Sequence, residues 1–219
     1  MSEIIAALNE RINAKHLLKH PFYVAWSKGE LSLQDLQHYA CQYFEHVRAF
    51  PAYLSEMHSR CRDLDARRII AANLADEEAF EPTHPQLWLD FAESLGISRG
   101  AVTGSTAGPR MASLVDTYRG VARMDTGLAA VGLYCYESQI PAVSAAKICG
   151  LEERYGITDP RALRYFRVHE SADVEHAAQW EALIGRSEVD PDAACRVADT
   201  ALGALWSALD EIYAKCTAN

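Results

Sequence analysis

The chain has 219 residues and carries 21 Lys plus Arg against 30 Asp plus Glu, a formal charge of −9. That balance argues against nucleic acid or an anionic membrane as a partner, since both need a positive face on the protein. Hydrophobic residues at 49% and charged ones at 23% are globular values rather than disordered ones, and a chain of this length buries a core without staples.

No apolar run reaches the roughly 20 residues of a spanning helix. The start, Met-Ser-Glu-Ile-Ile, lacks the basic and apolar stretches of a secretory signal. A cytoplasmic location is expected, with Cys41, Cys61, Cys135, Cys149, Cys195 and Cys216 reduced. None of them forms a C-x-x-C pair, which argues against thiolate zinc.

Helix formers with a helical apolar period run through almost the whole chain. The spacing predicts helices over 4–15 and 21–28, then a long one from a capping-box start at Ser32 to about Arg60, with Pro51 as its kink. Next come 63–80, broken by Pro82 and Pro85, and 85–95, stopped by Gly96. Residues 97–108, with three glycines, form the clearest loop. Helices over 109–123, 126–149, 160–184 and 190–215 complete the chain. With no strand pattern, repeat or long linker, the expectation is an all-α single domain over 1–219, a bundle of seven to eight helices.

Chemistry concentrates in Arg164-Tyr-Phe-Arg-Val-His-Glu-Ser-Ala-Asp-Val-Glu-His176. Positions 0, 4 and 7 of a helix fall within about 40° of one another, so His169, Asp173 and His176 share a face. Tyr165 and Trp180 extend that stripe inward, while Glu170 and Glu175 point away. A second cluster holds Glu77 and His84, seven apart and so two turns along one helical face. Glu137 lies in a segment apolar nearly all round, where a buried carboxylate must be paired or bind metal. A plain ion pair with Lys147 is the alternative, although ten residues and Pro141 separate them.

Glu77, His84, Glu137, His169, Asp173 and His176 together offer three carboxylates and three imidazoles. Against two divalent cations that leaves a net charge of about +1, and oxygen and nitrogen donors without thiolate favour iron or manganese over zinc. A ferritin-type set built on Glu81-Pro-Thr-His84 and Asp173-Val-Glu-His176 ranks second, because Pro82 disturbs the first motif and His169 is left without a role.

The pattern Glu77-x6-His84, Glu137 and His169-x3-Asp173-x2-His176, with His20-Pro-Phe-Tyr23 near the start, resembles the haem-oxygenase-like dimetal oxidases along the whole chain. Within them it is most similar to the CADD-like p-aminobenzoate-forming branch, named for a chlamydial protein associating with death domains. The pyrroloquinoline-quinone synthase and thiaminase branches share the fold at greater distance. The resemblance implies a haem-oxygenase-like bundle, a homodimer, and a centre of two irons or of iron with manganese, using dioxygen and an external reductant from an unidentified electron donor. It further implies that the protein is its own substrate: the side chain of Tyr23 becomes the ring of p-aminobenzoate, for folate, and Lys147 gives the nitrogen, once per molecule.

Lys147 is the only cation between Arg123 and Arg154, inside an apolar segment. Burial there lowers an amine's pKa, while a snorkelling lysine at a helix edge is the plain alternative. Tyr39 and Tyr43 share a face with His46, and Tyr134, Tyr136 and Tyr165 neighbour the ligands. Tyr39, Tyr43, Tyr136 and Tyr165 are candidates for the pocket wall or for electron relay, and equally for packing. Two other functions stand beside the leading one: a multi-turnover dimetal oxidase of a small external substrate, with Arg48, Arg110 or Arg164 as a carboxylate anchor, and a helical protein-interaction module.

Overall fold

A computed structural model describes residues 3–216, which form eleven α-helices and one short 3-10 turn, with no strand among the described residues. The helices are α1 (Glu3–Ala14), α2 (Pro21–Lys28), α3 (Leu33–Arg60), α4 (Leu64–Glu78), α5 (His84–Ser94), α6 (Arg99–Thr103), α7 (Pro109–Ala122), α8 (Thr126–Glu137), α9 (Ile140–Glu153), α10 (Pro160–Arg186) and α11 (Pro191–Cys216). The all-α class is as expected, cut into more segments than seven or eight. No helix among the described residues is long and apolar enough to cross a membrane.

Local chemistry accounts for the boundaries. Ser32 and Asp35 cap α3 reciprocally, as do Thr83 and Gln86 for α5. Asp63, Asp125 and Asp159 accept first-turn amides of α4, α8 and α10. Gly29 closes α2 in the left-handed region, at φ 72°. The helix α3 continues through the buried Pro51.

Two expectations are corrected. Residues 126–149 are two helices, because Pro141 lacks an amide and its ring cannot follow a preceding helical turn, so it opens α9 instead. The side chain of the fully buried Gln139 fills the break, accepting from Leu17 N (2.8 Å) and donating to Cys135 O (2.6 Å). Within 97–108 one short helix, α6, forms where Ser98 caps the Ala101 amide.

The bundle is organised around α10, which packs on α5, α8 and α9, while α3 packs on α4, α5 and α7 and α11 on α7 and α8. Aromatic rings from α2, α3, α5, α8 and α10 fill the space between these helices, with Phe22, Trp26, Tyr39, Tyr53, Trp88 and Phe166 fully buried. The polar exceptions to this core are the site.

Candidate metal centre

All six predicted ligands are buried, between 1% and 6% exposed. They fall into two triads, Glu77–His84–His169 and Glu137–Asp173–His176, each with ligand atoms within 4.8 Å of one another. One face of α10 supplies His169 to the first triad and Asp173 and His176 to the second. The carboxylate of Glu77 comes from the last turn of α4 and that of Glu137 from the last residue of α8. The expected shared helical face of Glu77 and His84 is corrected: α4 ends at Glu78 and α5 starts at His84. The turn between them, not a helical period, sets His84 Nδ1 at 3.1 Å from Glu77 Oε1.

The imidazoles are oriented from behind. His169 Nδ1 donates to the Tyr165 carbonyl (2.7 Å), which leaves Nε2 facing Glu77 at 3.9 Å. His176 turns Nδ1 to Glu137 and Asp173, each at 3.3 Å, and Nε2 to Asp76 at 3.0 Å. Asp76 is a half-exposed carboxylate that the sequence did not single out. Such a carboxylate–histidine pair fixes both the tautomer and the ring of a metal ligand. Asn73, one turn before Glu77 on the buried face of α4, donates to Glu137 Oε1 (3.1 Å), and Trp180 Nε1 donates to the other oxygen. The i, i+4 spacing from Glu77 was the available signal for Asn73.

Electrostatics fit cation binding. Burial opposes ionisation of Glu77, but the neighbouring imidazoles of His169 and His84 hold its pKa near 2. Burial and the neighbouring Asp173 charge raise that of Glu137, against the pull of His176 and Asn73. Burial works against protonation of His176, yet its hydrogen bonds to Asp173 and Glu137 carry its pKa to about 11. Metal binding at such a set of carboxylates and imidazoles would compete with protons for the same imidazole nitrogens. His84 Nδ1, although 3.1 Å from Glu77 Oε1, makes no aligned hydrogen bond. A buried imidazole nitrogen beside a carboxylate without an aligned hydrogen bond suits a metal ligand.

Between the triads lies a small cavity of about 10 Å³ lined by Glu77, Glu137, His169, Asp173, Tyr136 and Tyr165, with His46 of α3 in its wall. Burial drops the pKa of His46 to about 3, with the Glu77 charge opposing, so the ring is neutral. None of Arg48, Arg110 and Arg164 lines this cavity. Arg48 pairs instead with Glu45 at 2.7 Å.

Tyrosines lead away from the triads. Tyr136 OH accepts from Tyr43 OH (3.2 Å), the Tyr43 and Tyr39 rings are 5.2 Å apart, and the Tyr39 and Tyr23 hydroxyls are 3.4 Å apart. Tyr165 reaches Tyr39 through Trp88, by ring separations of 4.9 and 5.6 Å. Tyr134 does not join them, since its hydroxyl donates to Asn9. At the far end Lys147, 4% exposed, donates to Tyr39 OH at 2.5 Å. Its Nζ lies 5.3 Å from the Tyr23 ring centre and within 5.6 Å of those of Tyr43, Trp88 and Phe166. The snorkelling alternative is excluded, as is a pair with Glu137, which bonds Asn73 and Trp180 instead. Burial pulls the Lys147 amine down to about 7. It also holds the phenols of Tyr23 and Tyr39 far above their ordinary value, and so protonated.

Three comparisons bear on this arrangement. A family model described as iron-containing redox enzyme, of the haem-oxygenase type, matches residues 37–208. A Chlamydia pneumoniae protein named 4-aminobenzoate synthase is 42% identical over 214 residues, covering 95% of this chain and 94% of that protein. A Nitrosomonas europaea protein of the same name is 39% identical, covering 95% and 90% respectively. Among solved structures, a TenA homologue from Pseudomonas syringae superposes with a TM-score of 0.82 at 14% identity, covering 96% of this chain and 91% of that one. That last likeness concerns the fold alone.

Proposed function

The chain belongs to the iron-containing redox enzyme family, and from that premise we propose that it is a p-aminobenzoate synthase that consumes its own Tyr23, with Lys147 as amine donor. The observation that carries this reading is the sealed aromatic shell in which Lys147 Nζ stands 5.3 Å from the Tyr23 ring and one hydroxyl, Tyr39 OH, contacts both residues. A tyrosine side chain already holds an aromatic ring with a carbon and a heteroatom para to each other. Conversion to p-aminobenzoate requires that the benzylic carbon leave the backbone as a carboxylate and that nitrogen replace the phenol oxygen.

The residues suit those demands. Near neutral pH a substantial share of the Lys147 amine is unprotonated and so nucleophilic. Its hydrogen bond to Tyr39 and the surrounding rings orient it and exclude water. Glu77, His84 and His169 would hold one metal and Glu137, Asp173 and His176 the other, with Asp76, Asn73 and Trp180 setting ligand orientation. Bound there, two irons, or iron with manganese, supply dioxygen activation with electrons from an external reductant. Tyr136, Tyr43 and Tyr39 bridge the cavity to Tyr23 by contacts short enough for electron relay.

An external substrate is less well served. The cavity of about 10 Å³ is far below the roughly 300–1,000 Å³ of small-molecule sites, and no arginine lines it to anchor a carboxylate. An interaction module leaves six converging buried ligands without a purpose. The single domain over 1–219, a homodimer, a cytoplasmic location, a folate destination for the product and an unidentified electron donor belong to this same proposal.

Peptide mass spectrometry of protein loaded with iron and manganese, before and after reductant and oxygen, tests it. Mass loss localised to Tyr23, with p-aminobenzoate released in no more than equal amount, is expected. In Tyr23→Phe the product should vanish while both metals stay bound. Continued p-aminobenzoate release from that variant would defeat the assignment of Tyr23.

A further inference from the structure

His46 is in the cavity wall but outside both triads. It has no solvent exposure, and its Nε2 has no hydrogen-bond partner. A buried imidazole is rarely left half-satisfied unless something absent from the protein itself occupies the open side. The ring is clamped: Tyr136 meets it edge-on at 4.9 Å and 86°, Tyr118 lies at 5.2 Å, and its Nδ1 faces Tyr53 OH at 3.4 Å. With Nδ1 committed to Tyr53, the opposite edge is the one left for the cavity.

The tautomer follows from the neighbours. Burial keeps the Tyr53 phenol protonated, and a phenol is a better donor than acceptor, so Tyr53 donates to Nδ1 and the ring hydrogen resides on Nε2. Glu77, Glu137 and Asp173 line the same cavity. Their negative charge attracts an N–H and repels a lone pair, which favours the same tautomer.

We propose that His46 donates an Nε2 hydrogen bond to a small anion of the hydroxide or reduced-dioxygen class held in the cavity, and is thereby a catalytic residue rather than a seventh metal ligand. This rests on the two triads holding metal, not on the identity of the organic product. A donor of this kind stabilises negative charge where it accumulates, within a site from which water is excluded.

Azide is the probe: it is a small anion that binds ferric iron and gives a charge-transfer absorption. Titrated into iron-loaded, oxidised protein, with iron content measured on the same samples, it should bind His46→Leu about tenfold or more weakly than the wild type. Iron should stay at two per chain in both. His46→Gln, whose side-chain N–H reaches a similar place, should recover most of the affinity. Should the leucine variant fold poorly, Tyr53→Phe frees the ring hydrogen to move to Nδ1 without altering the cavity wall, and weaker azide binding at unchanged iron content is again expected. Equal azide affinity in His46→Leu and the wild type would overturn the proposal. Loss of one iron from His46→Leu would also overturn it by making His46 a ligand. A wild type that holds no iron would remove the metal reading itself, and this proposal with it.

Discussion

Lys147→Met removes one ionisable head from the aromatic shell while keeping the length of its stem. Lys147 is 4% exposed and has no carboxylate within ion-pair range among the described residues. Burial takes its pKa from 10.5 to about 7. In the unfolded chain the amine keeps its ordinary value, so between those two values the unfolded state binds a proton that the folded state has released. Stability contributed by this group therefore rises with pH across the window, and the penalty is complete below about pH 7. The interval, 10.5 − 7 = 3.5 pH units, corresponds to about 5 kcal/mol at about 1.4 kcal/mol per unit. Urea unfolding of the metal-free wild type and Lys147→Met should thus show the variant more stable by about 5 kcal/mol near pH 6, with the difference falling below about 1 kcal/mol near pH 10. Other titrations are common to both proteins and cancel in the difference. A difference that stays flat over this range, or a methionine variant that is the less stable at pH 6, would refute the reasoning. The shell would then be holding a charged ammonium, and Lys147 could not act as a neutral amine.

Asp76→Ala removes the carboxylate behind His176 Nε2 (3.0 Å), and metal affinity at the Glu137–Asp173–His176 triad should fall about 10–100-fold. Competition with a coloured chelator should show one weakened site and one unchanged, whereas two unchanged sites would remove Asp76 from the support of His176. Gly150→Ala places a Cβ 2.6 Å from the indole of the fully buried Trp26, where α9 meets the helix carrying Tyr23. Overpacking of this kind costs about 1–3 kcal/mol, so a lower melting temperature and a lower p-aminobenzoate yield per chain are expected together. An unchanged melting temperature would show that the α2–α9 contact yields freely.

The sequence by itself determined what lies within single elements. The face holding His169, Asp173 and His176 was legible because a helical period fixes which side chains share a face, and α10 is unbroken across all three. The Ser32–Asp35 cap and the extent of α2 were legible for the same local reason. Between elements that logic stops. Glu77 and His84 meet, but across a turn between α4 and α5 rather than along one helix. Residues 126–149 have an unbroken helical pattern, yet Pro141 divides them, so that Glu137 ends one helix and Lys147 lies within the next. Tertiary packing alone decided that six ligands sort into two triads, that Asp76 backs His176, and that His46 lines the cavity with an unpartnered nitrogen. It also brought Lys147 to Tyr23 across 124 positions of sequence. The physical reason is one of range: periodicity and capping act over a few residues, whereas these contacts arise only once helices distant in sequence bury their apolar faces together and carry the polar exceptions inward with them.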